Sequence, residues 1–182
     1  MRVLIGCEFS GAVRREFRRL GHDAYSCDIL PAEDGGEHIQ DDILKVLRRR
    51  WDLAIFFPPC TYLCRAAARW HWGTPKQREA IRFVVKLWNS GIPRIGLENP
   101  VGALTKAFRK PNQIIQPWQF GHGEIKKTCL WTSGLPLLRP TRVVKGREPR
   151  VHWAAPGPDR WKERSRTLPG IARAMATQWG SP

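Results

Sequence analysis

The chain has 182 residues, of which 42% are hydrophobic and nine are tryptophan, which excludes a disordered polymer and predicts one folded domain over residues 1–182. Its apolar runs are too short to span a bilayer and the first residues lack a signal-peptide pattern, so we expect a cytoplasmic monomer without membrane contact. The formal net charge of +15 favours nucleic acid as the partner over an anionic membrane, because no long amphipathic basic helix is evident.

The first half of the sequence alternates strand patterns with helix patterns. Val13, Phe17 and Leu20 recur at helical spacing before Gly21 and are expected to face inward, while Thr74-Pro75 has the chemistry of a helix start. Strands are predicted at 2–5, 23–27, 37–40, 53–57 and 94–97, and helices at 12–20, 42–50 and 75–88. This alternation predicts an α/β, Rossmann-like fold with a mostly parallel sheet flanked by helices.

The second half contains shorter pieces rich in proline, glycine and tryptophan. The clearest strand is predicted at 128–132, and a last short helix at 171–178. Between them, residues 139–166 carry nine Arg or Lys against three Asp or Glu. The prolines of this basic segment predict a loop without a core of its own.

Five cysteines are present, and they form no Cys-x-x-Cys motif. An odd number of such residues is more typical of free thiols in a reducing compartment than of a disulfide framework. Cys60 and Cys64 are four residues apart, but no second ligand pair follows at zinc-like spacing, so no metal is expected. The other three, Cys7, Cys27 and Cys129, are predicted to be small core residues.

Two reactive side chains follow two of the predicted buried strands. Cys60 ends the run that begins at Leu53, and Glu98 comes directly after the strand at 94–97. Since the carboxyl ends of parallel strands meet at one edge of a sheet, the thiol and the carboxyl are expected to lie close together. Cys60 is a candidate nucleophile, and a helix beginning near Thr61 would favour its thiolate. Partial burial would raise the pKa of Glu98 and suit it to act as an acid, although a carboxylate that caps the turn at 99–100 is an alternative.

Acidic residues also mark a candidate cofactor edge. Asp28 ends the second strand, where a carboxylate can bind ribose hydroxyls. Asp42 opens the next helix and can accept a hydrogen bond from an adenine amine, or it is a plain helix cap. The loop between Gly6 and Gly11 lacks both a full dinucleotide motif and a phosphate-loop lysine. A sulfonium or nucleotide cofactor fits this edge, and a triphosphate does not.

Taken together, these residues resemble the cytosine-5 DNA methyltransferase family. Phe57-Pro58-Pro59-Cys60 is similar to the family's Pro-Cys nucleophile motif, and Glu98-Asn99-Pro100 to its Glu-Asn motif, in the same order. The stretch 169–175 is similar to the closing helix motif that packs beside the cofactor. The chain most resembles the compact, phage-borne members, with a target-recognition region reduced to the basic segment. Ala12-Val13 stands where the family usually has a further glycine.

The resemblance implies an S-adenosylmethionine-dependent methyltransferase fold and a known chemistry. Cys60 would attack carbon 6 of a cytosine flipped out of the helix, and Glu98 would hold or protonate ring nitrogen 3. Lys126, where the family has an arginine-bearing motif, would steady the flipped base or the catalytic loop. The cofactor would become S-adenosylhomocysteine, with Asp28 on its ribose and Asp42 on its adenine. The other implied cofactor contacts are Cys7, Glu8, Phe9, Ser10, Gly11, Ile29 and Pro58.

Double-stranded DNA is the partner that the resemblance implies. Arg142, Lys145 and Arg147 are the candidate phosphate contacts, and so short a segment predicts a target of roughly two to four base pairs. Trp153 and Trp161 are each expected to pack against the main sheet rather than beside the flipped base. Two alternatives stay open, namely the same chemistry on tRNA and a catalytically inactive nucleic-acid-binding protein. The sequence leaves the target site open, and also whether the transferred group is an unmodified methyl.

Overall fold

The computed structural model describes residues 1–153, 157 and 159–181. Seven strands are present in this part of the chain, namely β1 Arg2–Gly6, β2 Asp23–Asp28, β3 His38–Gln40, β4 Leu53–Phe56, β5 Arg94–Pro100, β6 Gln113–Ile115 and β7 Thr128–Ser133. The α-helices are α1 Ala12–Arg19, α2 Ile43–Val46, α3 Ala68–His71, α4 Pro75–Trp88, α5 Leu104–Ala107, α6 Arg150–Trp153, α7 Arg160–Ser165 and α8 Pro169–Trp179. Two 3₁₀ turns lie at Arg65–Ala67 and Pro117–Gln119.

The strands form one sheet in the order β3-β2-β1-β4-β5-β7-β6. The five strands from β3 to β5 are parallel, whereas β7 runs antiparallel to both β5 and β6. The predicted α/β, Rossmann-like fold with a mostly parallel sheet is therefore confirmed. The direction of winding reverses between β1 and β4, and the crevice at the carboxyl ends of such a pair is where open α/β sheets bind ligands.

Side chains that alternate along the strands build a core on each face of the sheet. Val3 and Ile5 of β1 pack on the face covered by α1 and α8, while Leu4 between them packs on the opposite face with α2 and α4. Continuous burial of this kind is typical of parallel strands covered on both sides. On the first face, Gly96 leaves room for Trp179, because a β-carbon there would come within 2.9 Å of the indole.

Local signals account for two of the predicted helices, α1 and α4, whereas the helix predicted at 42–50 is shorter and ends at Val46. The Thr74 hydroxyl accepts a hydrogen bond from the amide of Gln77, and Pro75 occupies the first position of α4. Gly21, at a positive φ of 81°, follows the end of α1. Leu20, expected to face inward, is instead 39% exposed, because α1 ends before it and the chain turns toward β2.

The later part of the chain departs from the prediction in three places. β5 continues through Pro100, because β7 pairs with its whole length. The strand β6 was missed because it has only three residues. The basic segment 139–166 is not simply a loop, since its described part contains α6 and α7. Residues 154–156 and 158 of that segment lie outside the described part of the chain.

Candidate functional site

The chain that follows β1 forms the floor of a site at the predicted edge. Cys7 has a positive φ of 59°, an uncommon conformation for a residue with a β-carbon, and Gly11 also has a positive φ of 66°. The Glu8 carboxylate is buried and accepts hydrogen bonds from the amides of Val13 (2.7 Å) and Arg14 (3.4 Å). Burial raises the pKa of Glu8 to about 7. Glu8 therefore stabilises the start of α1, a role that the sequence did not indicate.

The larger of two adjoining cavities here has a volume of about 460 Å³. Five predicted cofactor residues line it, namely Cys7, Phe9, Asp28, Ile29 and Asp42. Three others, Glu8, Ser10 and Pro58, line the smaller cavity beside it. The remaining one, Gly11, packs against Asp34 and Arg14 and lines neither cavity. Cys7 is half-buried here rather than a core residue, whereas the two other predicted core thiols are buried.

The two predicted cofactor carboxylates of the large cavity, Asp28 and Asp42, are held by the backbone. Oδ1 of Asp28 accepts a hydrogen bond from the amide of Leu30 at 3.0 Å, and Oδ1 of Asp42 accepts one from the amide of Leu44 at 2.9 Å. Burial raises the pKa of Asp28, partly offset by the bond from Leu30. The predicted helix-cap role of Asp42 is confirmed, and its position on the cavity wall is compatible with a second role.

The smaller cavity, of about 110 Å³, brings together the three predicted catalytic side chains. Cys60, Glu98 and Lys126 all line it. Cys60 also lines the large cavity, as do Phe57 and Pro59, so the two cavities share the residue that carries the thiol. A ligand in the large cavity and a base in the small one would therefore meet beside Cys60.

Cys60 is exposed and begins a single turn rather than a helix. Its carbonyl accepts hydrogen bonds from the amides of Leu63 and Cys64, both at 2.9 Å, and a 3₁₀ turn starts only at Arg65. Residues 61–64, which the structure describes, do not form a helix, so the helix dipole expected near Thr61 is absent there. The surrounding protein desolvates the thiol and raises the pKa of Cys60, with further contributions from Cys64 and Glu98.

Glu98 and Lys126 form the opposite wall. Glu98 lies inside β5, opposite Leu130 of β7, rather than after the strand, which also excludes the turn-capping role. Desolvation raises the pKa of Glu98, and the charge of Lys126 opposes the shift at both Glu98 and Cys60. The Lys126 Nζ donates to the carbonyl of Arg164 at 2.8 Å. The lysine is thus fastened to the last turn of α7.

Asn99 ties the two strand ends together. Its side-chain amide is buried and donates to the carbonyl of Pro58 at 2.8 Å. Pro58 precedes Cys60 by two residues and Glu98 precedes Asn99 by one, so the bond fixes the nucleophile and the acid in one frame. The sequence offered a signal for this contact, because Asn99 directly follows the predicted acid.

The part of the basic segment at α7 covers the large cavity, which the sequence did not predict. Trp161 lines this cavity with its ring centroid 5.7 Å from that of Phe9, and it is 50% exposed rather than packed against the sheet. Arg166 makes a bidentate pair with Glu33, at 2.7 and 3.2 Å. Trp153 is 67% exposed, so its predicted packing against the sheet is also wrong.

The three candidate phosphate contacts lie on the exposed part of residues 139–150. Backbone hydrogen bonds join this stretch to residues 118–125, including those from Arg142 to Gln119 (3.2 Å) and from Val144 to Trp118 (2.9 Å). The Arg147 guanidinium lies 4.0 Å from the Trp118 ring centroid. Arg142, Lys145 and Arg147 are therefore presented from a backbone that is held in place.

Neither a membrane-spanning helix nor a metal-binding group was found in the described part of the chain. None of its helices combines the length and the apolar composition needed to cross a bilayer. No group of three or more His, Cys, Asp or Glu side chains there is arranged to hold a metal ion.

Comparisons with known proteins yield only weak similarity, and this comes from solved structures. No protein-family model matches the chain, and no curated protein matches it. Among solved structures it is similar to a mutant of DNMT2 from Spodoptera frugiperda, with 15% sequence identity and a TM-score of 0.46. The match covers 82% of this chain and 54% of that one, so the chain spans about half of that protein's length. A similarity this weak does not carry residue roles from one chain to the other.

Proposed function

We propose that this protein is an S-adenosylmethionine-dependent cytosine-5 methyltransferase that acts on DNA. The observation that supports it most is that Cys60 lines both cavities. A nucleophile, an acid and a lysine line one cavity, and the carboxylates of Asp28 and Asp42 line the other. This arrangement lets a group-transfer cofactor approach a base that is held by Cys60 and Glu98.

The large cavity fits the proposed cofactor. Its volume of about 460 Å³ lies in the usual range for small-molecule sites. Asp28 suits the ribose hydroxyls and Asp42 an adenine amine, while Phe9, Ile29 and Trp161 provide apolar walls. When bound, S-adenosylmethionine supplies a methyl group on a positively charged sulfur, which carboxylates stabilise better than phosphate-binding groups do.

The small cavity accounts for the proposed handling of the base. The Cys60 thiolate attacks carbon 6 of cytosine and makes carbon 5 nucleophilic. Glu98, whose pKa is raised by burial, holds its proton at ring nitrogen 3. After methyl transfer, loss of the carbon-5 proton lets the bond to Cys60 break and restores the aromatic ring. Access to these side chains requires that the base leave its stack.

The direct test is mass spectrometry of nucleosides from nucleic acid co-expressed with the protein. We expect 5-methylcytosine in DNA, and purified protein should transfer a labelled methyl group to duplex DNA rather than to tRNA. Transfer to tRNA alone would keep the chemistry but reject the substrate. A modified cytosine whose mass differs from that of 5-methylcytosine would indicate a modified donor.

A charge change at the large cavity should weaken cofactor binding. Asp42→Asn keeps the cap of α2, because asparagine is also a good helix cap, and removes the charge. We expect Asp42→Asn and Asp28→Ala each to weaken the free energy of cofactor binding by about 1–3 kcal/mol, since a polar group of the cofactor loses its partner. Calorimetry measures this, with Asp23→Asn as control at the other end of β2. Unchanged affinity in both cavity variants would place the cofactor elsewhere.

Removal of the lysine charge should move the pH dependence of the reaction. Lys126 lowers the pKa of both Cys60 and Glu98, so Lys126→Met raises both. The thiolate then forms at higher pH and the acid keeps its proton to higher pH. Both limbs of the pH profile of kcat/KM should therefore shift to alkaline pH. Lys127→Met, an exposed neighbour, is the matched control, and an equal profile in the two variants contradicts a role for Lys126.

The basic segment should set the salt dependence of DNA binding. Replacing Arg142, Lys145 and Arg147 together by alanine should flatten the plot of log K against log salt by about three units, if each meets a phosphate. Filter binding at several salt concentrations measures this slope. The matched control replaces Arg48, Arg49 and Arg50 by alanine. This exposed run precedes β4 and so lies at the amino ends of the parallel strands, away from the cavities. An equal slope change in both triples would show that the effect is nonspecific.

A further inference from the structure

Two neighbouring tryptophans lie exposed outside the cavities described above. Trp70, in α3, is 67% exposed, and Trp72, just after it, is 61% exposed. The Arg69 guanidinium lies 4.4 Å from the Trp70 ring centroid. Large exposed apolar side chains in one place mark interaction surfaces, because each exposes apolar area to water without a folding benefit. We call the surface formed by these two tryptophans and three nearby cations the tryptophan platform; its residues are Arg65, Arg69, Trp70, Trp72 and Lys106.

The platform borders a separate cavity of about 440 Å³. Arg65, Trp72 and Lys106 line it, together with Cys64 and Gly102. The loops after β4 and β5 form its floor and are joined by two hydrogen bonds, from the amide of Arg65 to Val101 (3.0 Å) and from that of Ala103 to Leu63 (2.8 Å). A β-carbon at Gly102 would overlap the Leu63 carbonyl. The cavity thus has a rigid floor and an aromatic wall.

The charged side chains that line this cavity have one sign. Arg65 and Lys106 line it, and no Asp or Glu in the described part of the chain does. A positive surface with exposed aromatic rings is the combination that binds unpaired nucleotides, because the rings stack on bases and the cations meet phosphates.

The position of the cavity relates it to the proposed reaction. Cys64 lines it and follows Cys60 by one turn, since the Cys64 amide bonds to the Cys60 carbonyl. One helical turn rises about 5.4 Å. A polynucleotide whose target base lies at Cys60 would therefore reach this cavity within a few nucleotides.

We propose that the tryptophan platform binds an unpaired nucleotide of the polynucleotide substrate, near the target cytosine. Its base stacks on Trp72, and the phosphates beside it contact Arg65 and Lys106. This inference rests on the proposed function for the identity of the polymer. It adds that the protein binds a strand that is unpaired next to the target more tightly than a continuous duplex.

Fluorescence anisotropy of labelled 12-nucleotide DNA tests the proposal. Trp72→Ala should weaken single-strand binding by about 5- to 100-fold, and Trp72→Phe should restore most of it, because phenylalanine still stacks. The double variant of Arg65→Ala and Lys106→Ala should reduce the salt slope by about 1.4. The matched control combines Arg48→Ala and Arg49→Ala. These residues lie before β4, at the amino ends of the parallel strands, and no change in the salt slope is expected.

The same oligonucleotides as duplex DNA and as RNA complete the experiment, with circular dichroism melting to verify that each variant is folded. Equal affinity of wild type and Trp72→Ala for the single strand overturns the proposal, as does a duplex that binds as tightly as the single strand. Trp70→Ala gives a second reading if Trp72→Ala does not fold. Methyl transfer is measured on the same samples. If methyl transfer is intact but single-strand binding does not depend on Trp72, only the platform is rejected. If single-strand binding depends on Trp72 but no methyl is transferred, only the proposed methyltransferase is rejected.

Discussion

Cys60→Ala should lower methyl transfer by at least about 10⁴-fold while the cofactor still binds, because loss of a covalent nucleophile removes the reaction path itself. It should also abolish covalent trapping on DNA that contains 5-fluorocytosine, which cannot lose its carbon-5 substituent. Denaturing gels detect the trapped complex, and calorimetry measures the cofactor.

The matched variant is Cys64→Ala, which removes the thiol one turn away. The Cys64→Ala variant should still form the adduct, since Cys64 lines the cavity beside the tryptophan platform and not the small cavity with Glu98. Normal turnover of Cys60→Ala would contradict the covalent mechanism. If the adduct requires Cys64 and not Cys60, then Cys64 is the nucleophile and the proposal is wrong.

Asp34→Asn should destabilise the fold by about 3 kcal/mol, because it leaves a buried guanidinium without a charged partner. Arg14 is only 1% exposed, and its guanidinium bonds to Asp34 (2.5 Å) and to the Ser26 hydroxyl (2.8 Å). Arg15 also pairs with Asp34. Urea unfolding measures the change, with the exposed Asp159→Asn as control, for which less than about 0.5 kcal/mol is expected.

The same pair should contribute to acid unfolding. Desolvation opposes the shift, but hydrogen bonds from Arg14 and Arg15 lower the pKa of Asp34 to about 2. A carboxylate with a lowered pKa stabilises the fold above its unfolded pKa, near 4, and loses this contribution as pH falls toward 2. The stability difference between wild type and Asp34→Asn should therefore shrink between about pH 4 and pH 2. A difference that stays constant over this interval would contradict the assignment.

The parts of the site that the sequence predicted follow from strand ends. Cys60 and Asp28 could be placed at one edge because each ends an apolar run, and parallel strands bring their carboxyl ends together. Continuous apolar strands and the Thr74-Pro75 helix start gave most of the architecture in the same way. These signals are local, and the folded chain keeps them.

The parts that the sequence did not predict depend on distant partners. Arg166 and Glu33 are 133 residues apart, and Lys126 meets the Arg164 carbonyl across 38 residues. Glu98 was expected after its strand, but β7 pairs with it and extends β5 by three residues. Short helices such as α7 carry too many charges and too few apolar residues for a helical period to be visible.

Under the proposed function, the helix α7 and the chain after it would link two binding events, those of the cofactor and of DNA. Trp161 forms a wall of the large cavity, and Arg166 is fastened to Glu33, while basic residues of the same segment are the proposed phosphate contacts. Any shift that DNA imposes on this segment changes the wall that the cofactor meets. By thermodynamic reciprocity, the factor by which DNA alters cofactor affinity must equal the factor by which the cofactor alters DNA affinity. Under the proposed function, this coupling would let the protein retain its methyl donor until a polymer is bound.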